Sequence, residues 1–103
     1  MGPGLPESSY RDALCHELDL RGIAHQREMP VDILYKGKSV GKGKIDILVG
    51  GRLILELKVV DQLSALHRAQ AISYLKITKL HLALLINFNV EVLKAGIKRV
   101  INT

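Results

Sequence analysis

Residues 44–49 (KIDILV) and 52–60 (RLILELKVV) are two strand-forming runs with Gly50-Gly51 between them. A glycine pair between runs rich in Ile, Leu and Val is a hairpin signal, because glycine reaches the positive φ that tight hairpin turns require. The runs also carry three charges, Asp46, Glu56 and Lys58. A small core seldom holds ionised groups without a partner or a purpose. Glu56 and Lys58 are two apart and share a face of their strand. Asp46 joins that face in one register only. A two-residue loop sets Asp46 against Leu55 and turns it away, whereas a three-residue loop, Gly50-Gly51-Arg52, sets it against Glu56 and gathers all three charges. The hydrophobic pattern favours the longer loop. It collects Ile47, Val49, Leu53, Leu55, Leu57 and Val59 on one apolar face and leaves Leu48 and Ile54 beyond the charges on the other.

The rest of the chain supplies what such a hairpin would pack against. Gly2-Pro3-Gly4-Leu5-Pro6 is a breaker-rich lead-in, and a helix is expected from Ser8 or Ser9. Its stripe is Tyr10, Leu14 and Leu18, recurring every four residues, with Gly22 where a C-terminal capping glycine belongs. Residues 28–36 (EMPVDILYK) read as a strand in which Val31, Ile33 and Tyr35 alternate with Asp32 and Leu34, and Pro30 points to an edge or a strand start. Lys36-Gly37-Lys38 is a turn, and Gly41 and Gly43 predict a second flexible point before the strand at Lys44. Ser64 is an N-cap for a helix to about Ile77, with Leu66, Ala69, Ile72 and Leu75 or Lys76 as its buried side. Residues 81–88 (HLALLINF) form an apolar run of strand length, as in the interior of a sheet. Residues 89–103 hold a short turn or helix and a last strand at Ile97–Ile101. Helix, three strands, helix, strand and a short closing element make an α/β fold, an antiparallel hairpin followed by a helical crossover back to the sheet. With 103 residues the chain fits one domain.

Composition narrows the function classes. One cysteine, Cys15, excludes an intramolecular disulfide and agrees with a cytoplasmic setting. No run approaches a membrane span, residues 1–10 lack the regions of a signal peptide, and Pro6 stands where a myristoylation pattern needs Ser or Thr. Net charge is +5, from 15 Lys+Arg against 10 Asp+Glu, which favours polyanionic partners. Lys36, Lys38, Lys42 and Lys44 crowd one segment, and Lys94, Lys98 and Arg99 another. Such lysines serve equally as phosphate contacts or as charges that keep an edge strand from aggregating. Tyr10, Tyr35, Tyr74 and Phe88 are too few and scattered for a platform of stacked rings. Cys15, His16, His25, His67 and His81 show no zinc spacing, and Gly41-Lys42-Gly43-Lys44 lacks the spacing of a phosphate loop.

Two carboxylates converging from adjacent strands are what a hard cation such as Mg²⁺ takes as ligands. An ammonium beside them can hold water or stabilise charge growing on a phosphate. The alternative is a cross-strand salt bridge of Asp46 or Glu56 with Lys58 and no chemistry at all. On the second helix Gln70 and Tyr74 are i and i+4 and so share a face, with His67 one turn earlier. That stripe either looks into a cleft or is a hydrogen-bonded core pair.

Asp46, nine residues, then Glu56-Leu57-Lys58 resembles the D…E-x-K signature of the PD-(D/E)XK nuclease superfamily. Gly4-Leu5-Pro6-Glu7-Ser8-Ser9-Tyr10 resembles the G-x-x-E-x-x-Y signature of the GxxExxY family within it. Gln70-Ala71-Ile72-Ser73-Tyr74 is similar to the Q-x-x-x-Y helix motif of RecB-like members, and residues 85–89 (LINFN) and 96–99 (GIKR) resemble the family's C-terminal part. The resemblance covers almost the whole chain in the right order. It implies a restriction-endonuclease-like αβββαβ core, a mixed sheet flanked by helices, and a metal-dependent nuclease acting on nucleic acid, DNA foremost. Asp46 and Glu56 would be the ligands of Mg²⁺ or Mn²⁺, with the Leu57 backbone carbonyl a third and Glu7 a further carboxylate. Lys58 would place water or balance charge, and Gln70 and Tyr74 would face the site. Family members usually carry another helix before the motif, which the resemblance implies is absent from these 103 residues. A surface so uncovered is compatible with a homo-oligomer or a protein partner. A catalytically inactive domain that binds nucleic acid or protein through the same fold is the competing expectation.

Overall fold

The computed structural model describes residues 4–102; Met1, Gly2 and Pro3 of the lead-in, and Thr103, lie outside the described residues. Helix α1 spans Glu7–Leu20, with extended Pro6 at its N-cap and Glu7 in its first turn, a residue or two before the expected start. Proline suits that position because it has no N–H to leave unpaired, and an acid there meets the positive end of the helix dipole. Gly22 closes the other end with φ +66. Its N–H reaches the Asp19 carbonyl at 3.1 Å, and the Ile23 N–H reaches that of Leu18 at 2.9 Å. This is the closure that the sequence placed at Gly22.

Strands β1 (His25–Tyr35) and β2 (Lys38–Val49) form one long antiparallel hairpin. Both are longer than the sequence indicated: β1 begins three residues earlier and β2 six, so Gly41 and Gly43 lie inside a strand. The reason for Gly43 is steric. A Cβ there would stand 2.5 Å from the Tyr74 hydroxyl oxygen, so only glycine admits that ring against the strand. β3 (Leu53–Lys58) follows, then helix α2 (Ala65–Thr78), β4 (Leu82–Asn87), a 3-10 turn at Leu93–Gly96, and β5 (Ile97–Ile101). The five strands lie in the order β1-β2-β3-β4-β5, with β3 and β4 parallel and every other pair antiparallel. α2 is the crossover between the parallel strands. The fold is α/β with a mixed sheet flanked by helices, consistent with the restriction-endonuclease-like architecture. Pro30 sits in an edge strand, where a residue without an N–H is tolerated.

The hairpin register is the one that gathers the charges. Ile47 pairs with Leu55, Leu48 with Ile54 and Val49 with Leu53, leaving the three-residue loop Gly50-Gly51-Arg52, in which both glycines have positive φ. The two faces sort accordingly. Ile47, Val49, Leu53, Leu55 and Leu57 pack with Leu14, Cys15 and Leu18 of α1, while Leu48 and Ile54 pack with Ala71, Tyr74 and Leu75 of α2. Each fully buried aliphatic side chain contributes roughly 1.5–3 kcal/mol. Cys15 is buried, as a small apolar residue would be, and its thiol is pushed up chiefly by that burial.

Two expectations fail in detail. Val59 does not extend the apolar face, because β3 stops at Lys58. There the buried Asn87 side chain takes over from the ladder, accepting the Val60 N–H at 3.2 Å and donating to the Val60 carbonyl at 2.8 Å. On α2 the buried residues are Ala71, Tyr74 and Leu75, whereas Leu66 and Ala69 are exposed. The helix is turned so that Tyr74 belongs to the core, which rotates Leu66 outward.

Candidate active site

The β2–β3 ladder runs through the three pairs above and stops. The next pair in that register, Asp46 and Glu56, is joined by side chains instead. The Asp46 N–H points at Glu56 Oε1 at 3.4 Å, and the Leu57 N–H donates to Asp46 Oδ2 at 2.7 Å. Two residues earlier the Lys44 N–H donates to the Tyr74 hydroxyl at 3.3 Å. From Asp46 backwards, β2 leaves β3, and each of these N–H groups is met by a side-chain oxygen. The parting opens a cleft of about 560 Å³ lined by Lys44, Asp46, Glu56, Lys58, Gln70 and Tyr74 among others.

Five of the six side chains singled out from the sequence therefore line one cleft. Glu56 is buried at 3% exposure, Asp46 and Lys58 are half-buried, and Tyr74 is buried. Gln70 is exposed, and its Nε2 donates to the Tyr74 hydroxyl at 3.2 Å. The Gln70–Tyr74 face is thus both a hydrogen-bonded pair and a wall of the cleft. Glu7 is not among the lining residues. It stands at the start of α1, close enough for its carboxyl to be raised by burial and by the Asp46 charge, against the pull of Lys58 and Arg11. His67 is a capping residue: its Nδ1 accepts the Ser64 N–H at 3.1 Å while its own N–H donates to Ser64 Oγ.

The electrostatics follow from crowding. Burial, then the neighbouring Asp46 charge, push the Glu56 carboxyl up to about 8, with Lys58 pulling the other way. Among the described residues Lys58 forms no ion pair, so the salt-bridge alternative is not what the hairpin contains. The ammonium is left facing the cleft. Two adjacent carboxylates sharing a site that favours a proton on one of them, with hard oxygen donors and, among the described residues, no ion pair to a cation, fit a divalent metal ion, which takes that proton's place. The fit is to a sparse donor set. No group of three or more His, Cys, Asp or Glu among the described residues stands close enough to hold an ion. Mg²⁺ suits such a set, since it is commonly held by one or two protein carboxylates and keeps much of its water.

Several neighbours escaped the sequence reading. Asn87 fixes the backbone just past Lys58, and a polar residue inside the apolar run 81–88 was its visible signal. Its own carbonyl leaves no space for a side chain at Gly96, where a Cβ would approach to 2.1 Å. Lys42 and Lys44, which the sequence offers as phosphate contacts or edge charges, line the cleft, although Lys42 is paired with Asp32 and Lys44 lies 3.7 Å from Glu28. Glu28 and Arg11 left no pattern in the sequence.

A family model described as the PD-(D/E)XK nuclease superfamily matches residues 1–100. Neither a curated protein nor a solved structure gives a significant match.

Proposed function

The chain belongs to the PD-(D/E)XK nuclease superfamily, and on that premise we propose that it hydrolyses phosphodiester bonds of nucleic acid at the cleft between β2, β3 and α2. The observation that carries this reading is the register that sets Asp46 beside Glu56 with Lys58 unpaired next to them. Asp46 and Glu56 would hold Mg²⁺ or Mn²⁺, with the Leu57 carbonyl and Glu7 as further oxygens at its margin. The ion would supply Lewis-acid stabilisation of the charge that grows on the phosphate. Lys58 would present its ammonium to a phosphate oxygen or to the attacking water, at an end of β3 held in place by Asn87. Tyr74 and Gln70 would wall the cleft and exclude solvent from one side. Lys42 and Lys44 would meet the flanking phosphates.

The G-x-x-E-x-x-Y motif and the Gln70–Tyr74 pair support placing the chain in the GxxExxY family of RecB-like type, with DNA as substrate. We extend the reading to one nuclease-like domain over residues 1–103. Its location would be cytoplasmic, in keeping with the single buried thiol, and among the described residues no helix is long and apolar enough to cross a membrane.

The test is cleavage of single- and double-stranded DNA and RNA with Mg²⁺, Mn²⁺ or chelator. Cleavage should require the ion and be abolished by Asp46→Ala and by Lys58→Ala. Cleavage that survives in both variants belongs to a contaminant or another site. The sparse donor set favours one rival, an inactive nucleic-acid- or protein-binding domain. That rival predicts salt-sensitive binding without turnover, and no difference between wild type and Glu56→Ala when Mn²⁺ is titrated calorimetrically.

A further inference from the structure

Glu28 is a glutamate in the wrong conformation for a strand. It falls between the Arg27↔Ile47 and Met29↔Ile45 pairs, across from Asp46, and has φ +52. A residue with a Cβ rarely adopts that left-handed backbone, and glycine would do so freely. Such conformations persist where the side chain is needed at that spot. The Glu28 carboxylate lies 3.1 Å from Arg11 of α1 and 3.7 Å from Lys44 of β2.

Arg11 has a nearer claim on it. It is four residues after Glu7 on the same helix, and a glutamate N-terminal to a basic residue at i, i+4 is the favoured helical ion pair. Among the described residues no Glu7–Arg11 ion pair forms, and Arg11 reaches Glu28 instead. The guanidinium is mostly buried, with 17% of the side chain exposed, and its Nε has no hydrogen-bond partner among the described residues. Arg11 is thus drawn to Glu28 by a terminal nitrogen, with part of its donor capacity unspent.

We propose that Glu28 is a positioning residue that holds Arg11 away from Glu7, so that the Glu7 carboxylate stays available to the metal site formed by Asp46 and Glu56. This rests on the metal-dependent reading above. Without Glu28, Arg11 closes onto Glu7 as an ordinary helical ion pair, and the one carboxylate that α1 offers to the ion is neutralised. Lys44 loses an ion-pair partner at the same time, at the point where β2 parts from β3.

The experiment is calorimetric titration of Mn²⁺ into wild type, Glu28→Gly and Glu28→Gly/Arg11→Met, with Tm recorded for each. Glycine relieves the left-handed backbone, so Glu28→Gly should keep or raise Tm. Its Kd for Mn²⁺ should nevertheless rise about 1.5- to 2.5-fold, the competition that a helical ion pair of about 0.2–0.5 kcal/mol exerts on Glu7. Arg11→Met in that background should restore most of the affinity. Repeating the titrations at about 1 M salt, where the Debye length is near 3 Å, should leave the difference between the variants in place. If wild type and Glu28→Gly bind Mn²⁺ alike, or the second substitution restores nothing, the inference is wrong while the metal site stands. A difference that vanishes at high salt would reduce Glu28 to a distant charge and also overturn it. If wild type binds no Mn²⁺, the proposed function fails and takes this inference with it. Should Glu28→Gly lower Tm, Glu28→Gln, which leaves the backbone unchanged and removes only the charge, must reproduce the loss of affinity.

Discussion

The β2–β3 hairpin has two ends built from the same two strands, and they behave as different materials. At the closed end, from Ile47↔Leu55 to the glycine turn, backbone pairs with backbone and the side chains are apolar. At the open end Asp46, Leu57 and Lys44 direct their N–H groups to Glu56, Asp46 and Tyr74. A carbonyl acceptor is fixed and does not titrate. A carboxylate acceptor satisfies the same donor, keeps further lone pairs for another ligand and carries a charge. One step along a strand therefore converts scaffold into a chemical site while these three N–H groups keep acceptors.

The largest effect that would break this comparison is one that makes the closed end matter to chemistry alone. Ile47 is fully buried under α1, although its neighbour Asp46 lines the cleft. Ile47→Ala should cost about 2–5 kcal/mol, read from urea or thermal unfolding. It should leave Mn²⁺ affinity nearly unchanged in whatever fraction is folded. A loss of affinity with little loss of stability would mean that the two ends are not separable.

The open end should instead reveal itself through pH. The Glu56 carboxyl is raised from its ordinary 4.5 to about 8 in the folded protein. A group raised on folding binds protons more tightly in the native state. Its stabilisation is therefore complete below about 4.5 and is lost as pH rises through about 8. Metal-free protein should melt lower at pH 9 than at pH 6. The fall should be at least about 4–8 °C, the shift that 1 kcal/mol produces in a domain near this size. Glu56→Gln should flatten that slope, and Mn²⁺ should reverse it in wild type by replacing the proton. An equal slope in Glu56→Gln would assign the titration elsewhere.

The same contrast explains what the sequence could convey. Strand parity is local, so the odd loop, the two faces of the hairpin and the meeting of Asp46 with Glu56 were legible from residues 44–60. β5 was legible to the residue, and β4 to within one at each end. Gly41 and Gly43 misled because a glycine signals freedom in sequence, whereas Gly43 here marks a surface that a tyrosine 31 residues away must approach. The rotation of α2 misled for a related reason. The sequence leaves the Gln70–Tyr74 face as either a cleft wall or a core pair. Tyrosine is polar only at its tip, so its ring joins Ala71 and Leu75 in the core while its hydroxyl meets Gln70 at the cleft. Glu28 and Arg11 belong to no periodic pattern. Their roles arise only when α1 lies against the β1–β2 hairpin, which is tertiary information.

The smallest effect tests whether Tyr74 belongs to the scaffold or to the site. Its hydroxyl accepts from the Lys44 N–H, a donor whose ladder partner has departed, and from exposed Gln70. Tyr74→Phe should cost about 1 kcal/mol, the net worth of a part-buried hydrogen bond. Gln70→Ala, at an exposed position, should fall within about 0.5 kcal/mol of wild type. The hydroxyl is also the atom that a Gly43 side chain would meet first, at 2.5 Å, with the ring carbons at 2.9 and 3.0 Å behind it. Gly43→Ala should therefore cost less in the Tyr74→Phe background than in wild type, with a coupling of about 0.5 kcal/mol or more. If the two substitutions simply add, the hydroxyl does not define the spacing between α2 and β2. The open end of the hairpin would then be held apart by the carboxylates alone.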